Sequence, residues 1–400
     1  MTFRLSYRSL LTSIALVLIT GCQSAGVFEG QHTLVDSEAA LHDHVFPAAD
    51  SFLIESPQSL FTLSDEAKEF VNKATSGKDS EEKQVQSLMR DIFNRSEFDL
   101  LYQADANTDA NTTFENRAAN CLSLTIMTYA MASHAGFNAR FQQIDIPEFW
   151  TRRSGFALLN GHINLRIVPQ YTVSSFSLFR RNLIIDFDPQ EGAYKFNANE
   201  IDKQRIVAMF YNNKAAELIL KGQLNHAYAY LRASLRIDPQ YEGAMLNLGL
   251  VYRQVGEMAF AEQAYLAAIT VNENYLTAWE NLAALYEKTQ RVEQAQQIHA
   301  SIQKQRVNNP YYHLMLAEEA LENEAFKQSI RHFKDAIEID DSPHQFYFGL
   351  AKAYLNLGDL DSTEDYLRLA KRKAGKARIS DDYGEKMSML ARLQREKNPS

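Results

Sequence analysis

Cysteine is nearly missing from these 400 residues: two are present, too few to staple a fold with disulfides. With 9 Pro and 16 Gly the chain is not collagen-like or low-complexity, and 46% hydrophobic residues against 23% charged exclude a disordered one. Basic charge is also scarce. The 41 Lys and Arg are outnumbered by 50 Asp and Glu, giving a formal net charge of -9. Two of those bases, Arg4 and Arg8, lie in the first 22 residues, which hold no acid; 39 bases against 50 acids remain. Such a balance argues against non-specific nucleic-acid binding, which needs Lys and Arg to neutralise phosphates. After residue 22 no apolar run approaches the roughly 20 residues of a membrane-spanning helix. The length allows two or three domains, each with its own core.

The first 22 residues have the layout of an export signal. Arg4 and Arg8 make a positive start, Leu10 to Ile19 a short apolar run, and Thr20-Gly21 a pair of small residues before Cys22. Ile19-Thr20-Gly21-Cys22 resembles the box of a bacterial lipoprotein signal, in which the cysteine is lipidated and becomes the mature N-terminus. That resemblance implies residues 1–21 as signal peptide, Cys22 as the lipidation site, and an anchor of several acyl chains. Gln23, where the inner-membrane retention signal has Asp, implies the outer membrane, with the chain facing the periplasm. Residues 22–60 show no sustained helical or strand period and read as a tether. His42 and His44, two residues apart with no third ligand nearby, read as solvated loop residues rather than a metal site.

The second half repeats itself every 34 residues. Ala215, Gly249, Ala283, Ala317 and Ala351 keep that interval, followed by Ala227, Ala261, Ala295, Ser329 and Thr363. Small residues recur where two helices cross, because a larger side chain would force the backbones apart. Gly222, Gly256 and Gly358 fall where a helix should end in a left-handed residue, and Pro239 where one should stop. The pattern resembles the tetratricopeptide repeat, in five copies over residues 207–375, with 376–400 as a capping helix and tail. The resemblance implies an all-α solenoid that binds a protein or peptide partner. His299, His313, His332 and His344 occupy packing or surface positions, and none reads as a ligand.

Residues 61–206 follow another pattern. Ser64 before Asp65-Glu66 predicts a helix to about Thr75, and a second fits Ser80 to Phe93. Asn120 can cap a helix opening at Cys121 and closing at Gly136. Beyond it the period becomes two, predicting strands at 138–144, 162–168 and 183–187, hence an α+β domain. With Cys22 lipidated, Cys121 is the only remaining thiol, so no intrachain disulfide is possible. A helix N-terminus favours thiolate over thiol, and its N–H groups can hold the oxyanion formed when that thiolate attacks an acyl carbon. His162, opening a strand after Gly161, is the candidate base. Asp186 or Asp188, on one face of the next strand, can orient it.

These stretches, NCLSLTIMTYAMASHAGFNARF, GHINLRI and LIIDFDP, are similar to the core of the transglutaminase-like superfamily, relatives of papain-type cysteine proteases. The resemblance implies Cys121 as nucleophile, His162 as general base and Asp186 or Asp188 as orienter; Asp186, directly after the apolar run, is the favoured carboxylate. Asp188-Pro189 resembles the family's Asp-Pro-Thr signature and keeps Asp188 as the alternative. The fold expected is an α+β transglutaminase-like (papain-like) domain followed by a repeat solenoid. The function expected is amide hydrolysis or transamidation through a thioester on Cys121, with no metal or organic cofactor. The rival expectation is a non-enzymatic scaffold with a degenerate transglutaminase-like domain.

Overall fold

The fold, a computed structural model, is described for residues 36–93, 101–103, 106–145, 150–153, 156–159, 162–168, 183–186, 197–374, 383–384 and 386–388. Residues 1–22, with Cys22, and Asp188 lie outside these.

Two amphipathic helices open the α+β domain, α1 (Asp65–Thr75) and α2 (Glu81–Phe93). Ser64 caps α1 by accepting from Ala67 N, and Val71, Val85, Leu88 and Ile92 are buried. A two-residue strand β1 (Leu101–Tyr102) runs parallel to β2 (Ala118–Ala119), with the short helix α3 (Ala110–Asn116) between them. The central helix α4 (Cys121–His134) is buried almost all round. Gly136 then turns the chain at φ 80°, a left-handed conformation natural to glycine.

Strand β3 (Asn138–Ile144) follows, then the hairpin β4 (Trp150–Arg153) and β5 (Phe156–Leu159), then β6 (His162–Val168), β7 (Leu183–Ile185) and β8 (Ala198–Ile201). Four of these form one antiparallel sheet in the order β7-β6-β3-β8. Phe141, Ile163, Leu165, Ile167 and Ile185 are buried, and α4 packs on the sheet with Tyr129 stacked on Phe141, ring centroids 4.3 Å apart.

Ten helices then pair into five hairpins: α5 (Lys203–Leu220) with α6 (Leu224–Ile237), α7 (Glu242–Val255) with α8 (Met258–Val271), and α9 (Leu276–Lys288) with α10 (Val292–Arg306). The last two are α11 (Pro310–Glu322) with α12 (Phe326–Ile339) and α13 (His344–Asn356) with α14 (Leu360–Ala374). The first repeat helix starts at Lys203, a few residues before the expected boundary, because Asp202 caps it by accepting from Arg205 N. Every small residue of the 34-residue rows for which exposure is given is buried, from Ala215 and Ala227 to Ala351 and Thr363. At Gly249 the reason is direct: a Cβ there would stand 2.4 Å from the Tyr265 ring. All five intra-hairpin turns take a left-handed residue at the same repeat position, yet only three use glycine. Gln290 and Glu324 hold φ 65° and 57° in the third and fourth hairpins, conformations that cost an L-residue roughly 1 kcal/mol. After α14, Tyr383 docks on the last hairpin, its hydroxyl 2.7 Å from His344 Nδ1.

Residues 36–60, expected as a tether, are instead laid on the first two hairpins in single 3-10 turns. Aromatic rings account for the difference. Phe46 is 2% exposed and stacks on Tyr228 at 4.4 Å; His42 stacks on Phe260 at 3.7 Å and Phe52 on His226 at 4.2 Å. Polar contacts then fix the segment. Tyr228 donates to Asp43 at 2.8 Å, Arg232 pairs with Asp43 and Asp50, and Tyr252 donates to the Ala40 carbonyl. Tyr211 and Tyr230 both donate to Glu55. With His42 on Phe260 and Asp43 held by a phenol and a guanidinium, the His42-Asp43-His44 triplet is a packing element. Among the described residues no helix is long and apolar enough to cross a membrane.

Candidate active site

Cys121 is the first residue of α4 and is half-buried. Its position is dictated by the turn before it. Asn120 cannot continue a helix cheaply but caps one well: its side-chain oxygen accepts from Ser123 N at 2.9 Å while its carbonyl accepts from Leu124 N. The loop 106–108 wraps the same helix end. Asn120 N donates to the Ala106 carbonyl, and Ser123 Oγ accepts from Thr108 N at 2.8 Å and donates to Ala106 O at 3.3 Å. Asn107 in turn donates to the Phe210 carbonyl of α5 at 3.0 Å, tying the loop to the first repeat helix. The residue before α4 and the first turn are thus firmly placed, and Cys121 occupies the residue position at the positive end of the helix dipole.

His162 and Asp186 come together. His162 opens β6 opposite Ile144 of β3, and Asp186 directly follows β7. Their closest approach is His162 Nε2 to Asp186 Oδ2, 2.8 Å, with side chains 2% and 9% exposed. Since Leu165 faces Ile185 in the ladder, continuing it one step sets Asp186 opposite Asn164, and the carboxylate reaches His162 diagonally. An ionised carboxylate only accepts, so Nε2 carries the proton of this bond and Nδ1 is the nitrogen through which the ring would exchange a proton with a thiol. Asn164 shares the buried strand face at 3% exposure, its Oδ1 without a hydrogen-bond partner. Asp188, the alternative carboxylate, lies outside the described residues.

Two cavities, of about 440 and 370 Å³, flank the other end of α4 around Tyr129 and Lys203. Lys203 stands over the Phe61 ring at 3.8 Å, and burial holds its ammonium below the ordinary lysine range. Neither cavity is lined by Cys121, His162 or Asp186. Sequence reasoning missed Asn107 and Asn164, for which only their place beside the capping turn and on the His162 strand face gave a signal. It likewise missed α3, the hairpin β4–β5 and the edge strand β8.

Residues 68–147 match the model of the transglutaminase-like superfamily, and residues 210–241, 243–275 and 344–372 match that of the tetratricopeptide repeat. The chain carries a transglutaminase-like domain and tetratricopeptide repeats. The first match includes Cys121 and ends before His162 and Asp186. The three repeats matched are those whose turns hold Gly222, Gly256 and Gly358; the two unmatched hairpins hold Gln290 and Glu324 there. The chain is similar to Superkiller protein 3 of Schizosaccharomyces pombe, 25% identical over 170 residues that cover 40% of this chain and 12% of that protein. It is also similar to the ycf37 protein of Pyropia yezoensis, 32% identical over 62 residues, 16% of this chain and 35% of that one. The chain therefore spans well under half the length of either curated relative. Among solved structures, Pseudomonas aeruginosa pilF is 15% identical with a TM-score of 0.26, the match covering 50% of this chain and 95% of that one. A thermophilic repeat protein of Thermus thermophilus is 17% identical, TM-score 0.26, with 44% and 97% covered. Scores this low leave the fold to be read from the chain's own helices.

Proposed function

We propose that this chain is a lipid-anchored protein of the bacterial outer membrane in which a cysteine acyl-transfer domain is joined to repeats that hold a protein or peptide partner. The observation that carries the enzymatic half is the 2.8 Å contact between the buried His162 and the largely buried Asp186, with His162 opening a strand packed on the helix that opens at Cys121. A buried imidazole held by a carboxylate is costly as mere structure and useful as a base. Tetratricopeptide repeats are protein-interaction modules, which supports the partner; the export-signal layout ending in Cys22 supports the anchor.

Chemically, His162 Nδ1 takes the Cys121 thiol proton, and Asp186 stabilises the resulting imidazolium through Nε2–H. The thiolate sulfur adds to an amide carbonyl carbon, and N–H groups of the first turn of α4 receive the oxyanion. Collapse breaks the C–N bond, His162 returns its proton to the departing amine, and a thioester remains. Water, deprotonated by His162, releases a carboxylic acid and restores the thiol; an amine in its place yields a new amide.

Alkylation of the folded protein with iodoacetamide tests the reading. Rapid labelling of Cys121 at neutral pH, lost in His162→Ala with the fold intact, is expected. An inert Cys121 in the native protein would instead leave a scaffold with a degenerate domain. Cys22→Ser should release the chain from membranes, and unchanged retention refutes the anchor.

A further inference from the structure

Away from the transglutaminase-like domain, the fourth hairpin brings His313 of one helix to a histidine and a carboxylate of the other. His313 lies on α11 and is 8% exposed; His332 and Asp335 lie three residues apart on α12, hence on one face. One donor atom from each, taken together, lie within 4.8 Å of one another. Asp335 Oδ2 stands 3.7 Å from Nδ1 of His313 and 3.7 Å from Nδ1 of His332, too long for a hydrogen bond. Both Nδ1 atoms are buried and have no hydrogen-bond partner. Leaving two such atoms unsatisfied in one spot is expensive unless something else meets them.

We propose that His313 Nδ1, His332 Nδ1 and one carboxylate oxygen of Asp335 form a binding site for a divalent cation of the zinc type, with one coordination position open.

Three features argue for it. First, His313 Nε2 is 2.9 Å from the Val307 carbonyl. A carbonyl only accepts, so Nε2 carries the proton and the neutral ring keeps its lone pair on Nδ1, pointed at the other two donors. This is the outer bond that orients a metal-binding imidazole. Second, the His332 ring lies beside that of His313, centroids 6.0 Å apart, and its Nδ1 is likewise buried without a hydrogen-bond partner. Third, tetrahedral zinc with bonds of about 2.1 Å needs donors about 3.4 Å apart, a few tenths of an ångström inside the two 3.7 Å contacts to the carboxylate, with all three donors within 4.8 Å of one another. Small side-chain rotations close that gap. Two imidazoles and one carboxylate suit Zn²⁺, Co²⁺, Ni²⁺ or Cu²⁺, whereas Ca²⁺ and Mg²⁺ prefer all-oxygen sets. With three protein ligands the fourth position is left to water or to a donor from a bound partner. The proposal does not depend on the acyl-transfer reading, and either can fail alone.

From the sequence, His313 and His332 occupy packing or surface positions of the repeat, and neither reads as a ligand. The hairpin supplies the partner.

The test is titration of the chelator-treated full chain with Co²⁺, followed by Zn²⁺ in competition with a chromophoric chelator. One equivalent of Co²⁺ with the strong visible absorption of tetrahedral coordination, displaced by Zn²⁺, is expected. In His332→Ala and in Asp335→Asn the affinity should fall at least about tenfold. These side chains are 22% and 49% exposed, so both variants should keep the fold, which circular dichroism checks. Absence of that absorption, or an affinity unchanged from the parent chain in both variants, overturns the proposal; the second outcome would assign the metal to ligands elsewhere.

Discussion

Replacing Asp186 by Asn removes one charge from the His162 contact while leaving its shape, and the geometry sets the expected size of the effect. The two side chains are 2% and 9% exposed and 2.8 Å apart at closest approach, so water screens them little. Charge centres about 4 Å apart at an effective dielectric constant of about 20 interact by about 4 kcal/mol. That is an upper limit on what the carboxylate adds to the protonated ring, since Asn still accepts a hydrogen bond. One and a half to three decades of thiolate–imidazolium population should vanish, at about 1.4 kcal/mol per decade. Iodoacetamide labelling of Cys121 at neutral pH should therefore slow by about 30- to 1,000-fold. The rate should recover as pH rises and the thiol ionises without help from the ring. The assay is the alkylation rate measured across pH, with circular dichroism and thermal unfolding as fold controls. A folded Asp186→Asn protein that labels at the original rate at neutral pH refutes the role given to this carboxylate.

Other consequences concern the rest of the chain. Phe46→Ala empties a site that is 2% exposed against Tyr228 and should cost about 3 kcal/mol in urea unfolding; a loss below about 1 kcal/mol would mean that residues 36–60 lie loosely on the repeats. Gly349→Ala places a Cβ 2.1 Å from the Phe333 ring, so the melting temperature should drop by an amount equivalent to about 1–3 kcal/mol, and an unchanged one contradicts this packing. Burial, the largest cause, pushes the phenols of Tyr211, Tyr252 and Tyr265 up to about 12. In the unfolded chain they ionise near 10, so their contribution is complete below about pH 10 and is lost as pH rises towards 12. Phenolate absorbance and helical signal should change together in that window. Ionisation of all the tyrosines near pH 10 in a still-folded chain would count against it.

Local rules made much of the architecture legible. Ser64, Asn120 and Gly136 mark helix ends because caps and left-handed turns are matters of a few adjacent backbone atoms. The 34-residue rows of Ala, Gly, Ser and Thr are legible because each hairpin buries the same face against its neighbour. Strand β8 escaped notice for the opposite reason: Ala198, Asn199 and Glu200 are exposed at a sheet edge, so no alternation of apolar and polar residues marks them. Gln290 and Glu324 conceal two turns that glycine would have announced.

The chain's own order of residues determined that Cys121 heads a helix, that His162 heads a strand, and that the last half is built of paired helices. What it could not determine was partnership across long separations. That Asp186 reaches His162 depends on the register of β6 on β7, and that His313 faces His332 depends on how α11 lies on α12. That Phe46 and His42 cover Tyr228 and Phe260 depends on a face assembled from different hairpins. Such contacts are selected by the burial and bonding of groups distant in sequence, a free energy that exists only once the surfaces have met.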